Sequence, residues 1–193
     1  MNIEILNKML KRPLVDPTAL LSNFRFPGNA REYEYILDDP KYAPFFYYLG
    51  KEIKPKKAFF YGLNIGLVPY SFFSSCNTVK DVFLYNPTDE NYSPRFFNRN
   101  LKHFYKNNIT IIDSIENLNL SFDVIFHEAT EDQEQNRYVL ETLWKKVYSG
   151  GCLVVEAVEK KKESKEVVIT LSKNINRELI YFNTRYGTAI LVK

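Results

Sequence analysis

Five short apolar runs recur along the chain from Ala58 onward, and a turn signal closes most of them. Ala58–Tyr61 is closed by Gly62, Val82–Tyr85 by Asn86-Pro87, Ile109–Ile112 by Asp113-Ser114, and Phe122–Phe126 by His127-Glu128; Cys152–Val155 follows a Ser149-Gly150-Gly151 turn. Each run is too short for a helix and is apolar on both alternating faces, which is the pattern of a strand covered on both sides. Helical stretches separate them. Leu67–Ser75 reads as a helix, and so does Phe96–Asn107. Gln133–Tyr148 is amphipathic, with Tyr138, Leu140, Leu143, Trp144 and Val147 expected to face inward and Ser149–Gly151 expected to end it. Glu166–Ser172 is β-branched and ambiguous by composition, and its position between strands favours a helix. Glu178–Phe182 and Thr188–Val192 read as a closing pair of strands.

Strands alternating with helices predict an α/β fold: a doubly wound, mostly parallel seven-stranded sheet with helices on both faces. Residues 1–53 read as an N-terminal helical extension packed on the core, with Asp16-Pro17 as a helix start and two helices meeting near Pro40; residues 54–193 form the α/β domain. Right-handed crossovers bring the strand-end turns to one edge, where ligands of such sheets bind. That edge carries Gly62–Gly66, Asn86–Thr88, Asp113-Ser114 and His127–Thr130.

Composition excludes several classes. A net charge of +3 makes no case for nucleic acid or an anionic membrane. Arg95, Arg99, Lys102 and Lys106 could form a basic stripe, but aromatic residues interleave it as they would on a helix packed by its other face. No apolar run is long enough to span a bilayer, and MNIEILNKMLKRPL has no apolar core of a signal peptide, so the chain is read as cytoplasmic. Cys76 and Cys152 show no metal spacing and read as buried small hydrophobes, with a disulfide left open. His127, Glu128, Glu131 and Asp132 lie close in sequence, but no second cluster completes a set of metal ligands, so no metal is expected. The G-x-S-x-G, G-x-x-x-x-G-K-[ST] and G-x-G-x-x-G patterns are all absent. Aromatic residues make up 16% of the chain, enough to fill a core and leave a surplus, including Phe72, Phe73, Phe96 and Phe97, for an interface.

The segments, in order, resemble those of class I S-adenosylmethionine (SAM)-dependent methyltransferases. KPKKAFFYGLNIGLVPYSFF resembles their first strand and glycine turn, RNLKHFYKNNITIIDS their second helix and third strand, SFDVIFHEATEDQEQNRYVLETLWKKVYSGGCLVVEAV their fourth strand through fifth, and YGTAILVK their closing strand. The resemblance implies a Rossmann-like domain that binds SAM and transfers its methyl group to an acceptor the sequence does not identify. It implies that Gly62, Asn64 and Gly66 cradle the methionine part, that Asn86 faces the ribose, and that Asp113 and Ser114 face the adenine. His127 and Glu128 would face the acceptor as the catalytic pair. Phe60 stands where the family usually has an acidic residue, and Asn86 where it usually has Asp or Glu. Those two departures support an alternative: a catalytically inactive scaffold that uses aromatic surface to join protein partners or a homo-oligomer, as a structural or assembly subunit of a larger complex. Small size and an AT-rich coding bias extend that alternative to a virus particle made in the cytoplasm.

Overall fold

The structure is a computed structural model. It describes residues 1, 3–11, 15–24, 41–62, 66–85, 100, 109–116, 118–128, 132–159 and 162–193. Among these, the helices are α1 (Ile3–Lys11), α2 (Pro17–Leu20), α3 (Tyr42–Ile53), α4 (Leu67–Phe73), α5 (Gln133–Lys145) and α6 (Lys162–Asn174). The strands are β1 (Lys57–Tyr61), β2 (Asp81–Tyr85), β3 (Ile109–Ile111), β4 (Phe122–Glu128), β5 (Val147–Glu156), β6 (Leu179–Phe182) and β7 (Thr188–Val192). The expected helices over 96–107 and before Pro40, and the residues Asn64, Asn86, Arg95, Phe96, Phe97, Arg99, Lys102 and Lys106, lie outside the described residues. Asn100 alone of the first of these segments is described, and it is helical and buried.

The seven strands form one sheet in the order β3-β2-β1-β4-β5-β7-β6. β1 pairs in parallel with both β2 and β4, and β4 with β5, while β7 runs antiparallel between β5 and β6. The chain builds outward from β1 to β3 and then returns to the other side of β1 with β4. The order therefore reverses between β1 and β4, and the turns after these two strands flank the switch point.

The period of two in each strand sorts its side chains between two cores. Ala58, Phe60, Val124, Phe126, Cys152 and Val154 face α3 and α4, in a core that also takes in Leu6, Leu21 and Phe24 from the N-terminal segment. Phe59, Tyr61, Ile125, Leu153 and Val155 face α5 and α6. The first core is aromatic at its centre. Phe60 lies flat on Phe126 at 4.7 Å between centroids and 1° between planes, and Phe72 meets Phe126 edge-on at 4.9 Å. Phe72 and Phe73, expected as interface material, are buried in this core.

Three local expectations are corrected. α5 stops at Lys145 rather than Tyr148, because Lys146 caps it through a main-chain bond to Leu143 and β5 begins at Val147. Ser149–Gly151 thus lie inside β5, as the bulge that shifts the β4–β5 register between Phe122 and Val124. Gly150 adopts φ 86°, and a Cβ on Gly151 would stand 2.6 Å from the Asp123 carbonyl oxygen, so the bulge needs glycine at both positions. Tyr138 is 54% exposed; the inward stripe is Asn136, Val139, Leu140 and Leu143, the i, i+3, i+4, i+7 set, and position 138 falls on its far side. Glu166–Ser172 is helical within α6, its Val167, Val168 and Leu171 packed on the sheet. Both cysteines are buried free thiols.

Candidate functional site

The site is assembled at the switch point. β1 ends at Gly62, whose N–H donates to the Tyr85 carbonyl at 2.9 Å and whose φ is 81°. Gly66, at φ 77°, is the N-cap of α4, and its carbonyl accepts from Tyr70 N–H at 3.0 Å. The strand-to-helix connection is thus bounded by two glycines in the left-handed region, where a side chain would be strained. Asn64 lies between them, outside the described residues.

Alternation decides what surrounds Gly62. On β4, Phe126 faces α4, His127 faces α5, and Glu128 returns to the α4 side. A Cβ built on Gly62 would stand 3.5 Å from Glu128 Cβ, so the glycine turn and this carboxylate are neighbours. Glu156, the register partner of Glu128 at the end of β5, continues the row on the same face. It is 7% exposed, and its Oε2 accepts a hydrogen bond from Tyr42 Oη at 2.8 Å. Sequence reasoning missed both Glu156 and Tyr42. The available signal was the charge that closes the apolar run Leu153-Val154-Val155, as Glu128 closes β4.

His127 takes no part in that row. Consecutive strand residues face opposite sides, so His127 and Glu128 cannot line one pocket as the expected catalytic pair. The imidazole is 0% exposed, packed edge-on against Tyr61 at 5.0 Å, with Nε2 bonded to Asn136 Oδ1 at 2.8 Å. Asn136 Nδ2 in turn reaches Ser164 Oγ on α6 at 3.4 Å. Burial lowers the imidazole pKa to about 4, against the opposing effect of the Asn136 bond. His127 is therefore a neutral packing residue that ties β4 to α5.

Asp113 is exposed at the end of β3, which lies at the sheet's edge on the far side of β2 and β1 from β4. Ser114 is engaged locally: its hydroxyl donates to Glu116 Oε2 at 2.5 Å and accepts from the Glu116 N–H at 3.2 Å. That hydroxyl, first among several hydrogen bonds, holds the Glu116 carboxyl below the usual carboxylate range. Phe60, the residue standing where the family usually has an acidic one, is 1% exposed, its ring stacked on Phe126 in the core facing α3 and α4. Among the described residues no three or more His, Cys, Asp or Glu side chains converge as metal ligands, and no helix is long and apolar enough to cross a membrane.

No protein-family model and no curated protein matches the sequence. Solved structures do match in shape. A methyltransferase from Geobacter sulfurreducens aligns with a TM-score of 0.69 at 14% identity, over 99% of this chain and 98% of its own. The methyltransferase PaMTH1 of Podospora anserina, solved with S-adenosylhomocysteine (SAH), aligns at 0.66 and 13% identity over 98% of this chain and 93% of its own. The O-methyltransferase TomG of Streptomyces achromogenes, involved in tomaymycin synthesis and solved with SAM, aligns at 0.62 and 12% identity over 100% and 98%. With the strand order and the antiparallel β7, these likenesses show that the chain has the fold of the class I SAM-dependent methyltransferases.

Proposed function

We propose that the chain binds SAM at the β1–α4 turn and transfers its methyl group to an acceptor beside Glu128. One observation carries the proposal: Gly62 and Gly66 both hold positive φ at the switch point, with Glu128 against the first of them. A side chain at position 62 would fill the space a ligand backbone needs, so the turn fits a cradle for the methionine part. Gly62, Asn64 and Gly66 would hold that part, Asn86 the ribose, and Asp113 with Ser114 the adenine. SAM supplies an activated methyl group; what remains for the protein is to hold donor and acceptor in line and exclude water. Glu128 and the Tyr42–Glu156 pair form the acceptor side of the row. The buried His127 supports β4 from behind, leaving Glu128 as the group that would meet the acceptor.

A second reading has its own observation. Phe60 is closed aromatic core where the family usually has an acidic residue, which suits a scaffold that has lost its cofactor and serves as a subunit of a larger assembly in the cytoplasm or in a virus particle. Calorimetric titration with SAM and with SAH, alongside the melting temperature, separates the two. A ligand at about 100 times its dissociation constant stabilises by about 2.7 kcal/mol. Micromolar binding supports the enzyme reading. No binding at millimolar SAM overturns it and leaves the scaffold, for which co-purifying partners or self-association are the expected result.

A further inference from the structure

A cavity of about 400 Å³ opens at the sheet edge opposite the glycine turn, between the C-terminal ends of α3 and α4. The two helices touch at Gly50, where any Cβ would collide with the Phe72 carbonyl oxygen and Ser75 Oγ. Beyond that contact the chain leaves each of them to enter the start of β1 and β2. The volume lies within the range of small-molecule sites, about 300 to 1,000 Å³.

Two cations line it. Lys51 Nζ lies 5.2 Å from the Tyr47 ring centroid and 5.8 Å from that of Tyr48, which limits the positions its ammonium can take. Lys54 ends α3 in the left-handed region at φ 46°, a costly conformation for a residue with a side chain. Neither lysine is in an ion pair among the described residues. Among the described lining residues Glu52 is the single carboxylate against two lysines, and Lys56 and Lys80 add charge nearby, joined by a main-chain bond of 2.8 Å. The Asp123 carboxylate, next on this edge, is taken up by the N–H groups of Lys56 and Lys57 at 2.7 and 2.8 Å. The hydroxyls on the wall donate inward to the protein. Ser75 shares its one proton between the Tyr47 and Phe72 carbonyls, and Thr78 donates to that of Pro55 while accepting from the Cys76 thiol at 3.1 Å, so Thr78 keeps one lone pair and Ser75 two to accept from a ligand hydroxyl. The Asn77 side chain completes the rim.

We propose that this cavity binds the phosphate group of a small phosphorylated molecule, with Lys51 and Lys54 as the charged contacts. Two lysines on one concave wall match a dianion that takes several hydrogen bonds at once, and lysine serves such a group as a point charge. Acceptor oxygens beside them suit the hydroxyl-bearing part of the same molecule. Were the lysines there only to offset the C-terminal dipole of α3, the protein would not discriminate phosphate from other anions.

The test is a melting and calorimetric titration with inorganic phosphate and pyrophosphate, with acetate at matched ionic strength as reference. Saturable stabilisation by both phosphates and none by acetate is the expected result. Lys51→Gln with Lys54→Gln should weaken pyrophosphate at least about tenfold, while Lys51→Arg with Lys54→Arg retains it and Lys8→Gln, on the exposed face of α1, changes nothing. Stabilisation that never saturates, or that persists unchanged in the double Gln variant, marks an adventitious ion and overturns the site. Binding of a mixed-sequence single-stranded oligonucleotide through the same lysines, without binding of pyrophosphate, overturns the small-molecule ligand in favour of nucleic acid.

Discussion

Tyr42 Oη donates a 2.8 Å hydrogen bond to Glu156 Oε2, across 114 residues of chain. It ties the first turn of α3 to the last residue of β5, and so fastens the N-terminal segment over the edge where the site lies. The Tyr42 ring meets Phe46 edge-on at 5.1 Å, which holds the hydroxyl in place.

Removing that hydroxyl tests the fastening. Tyr42→Phe keeps the ring contact and deletes one bond to a carboxylate, which costs about 1.5 to 3 kcal/mol for a charged acceptor. A lower melting temperature with SAH affinity unchanged is expected, because Glu156 lies two strands from β1 on the acceptor side. Calorimetry on the variant checks it; loss of SAH binding would place Glu156 in the cofactor site instead.

Gly62→Val should abolish SAM and SAH binding. It also brings backbone strain of about 1 to 3 kcal/mol, since φ is 81°. Gly150→Val is the matched control: φ is 86° and a Cβ there meets nothing within 4 Å, on the far edge of the sheet. Equal destabilisation with binding lost only at position 62 is the expected pair of results. Loss in both, or in neither, removes Gly62 from the site.

Acid should weaken the fold through His127. The unfolded imidazole titrates at its ordinary 6.5 and the buried one near 4, so between those values the unfolded state binds the extra proton. Stability is full above about pH 6.5 and falls as pH drops toward 4, by about 3 kcal/mol in all. The Glu116 carboxyl is held below the usual range, first by the Ser114 hydroxyl. Urea unfolding at pH 7.5 and pH 5 measures the slope, and His127→Phe should flatten it whatever it does to stability at pH 7.5. An unchanged slope would mean that another group carries the acid response.

Burial pushes the Cys152 thiol up to about 12. The thiolate is the nucleophile, so native protein at pH 8 should resist alkylation at this residue and react fully once denatured. Mass spectrometry of labelled peptides reads the difference. Rapid labelling in the native state would show that β5 opens.

The alternation of apolar strands with helices is legible in the sequence because both periodicities are local. Phe59, Phe60 and Tyr61 are apolar in succession since both sheet faces are covered, and any chain with that run must bury both sides. The turn glycines at 62 and 66 are legible for the same reason: positive φ is a property of one residue. What sequence could not supply is which side of the sheet a strand-end residue faces and what lies there. His127 and Glu128 are neighbours in sequence, and the pleat sends one into the α5 core and the other to the glycine turn. Phe72 and Phe73 look like spare aromatics until Phe126 and Phe60 are found against them. Tyr42 and Glu156 meet only because the first turn of α3 lies at the end of β5, a contact with no local trace at either residue. Local rules therefore determined the elements and their order, and long-range packing alone decided the partners of each side chain at the site.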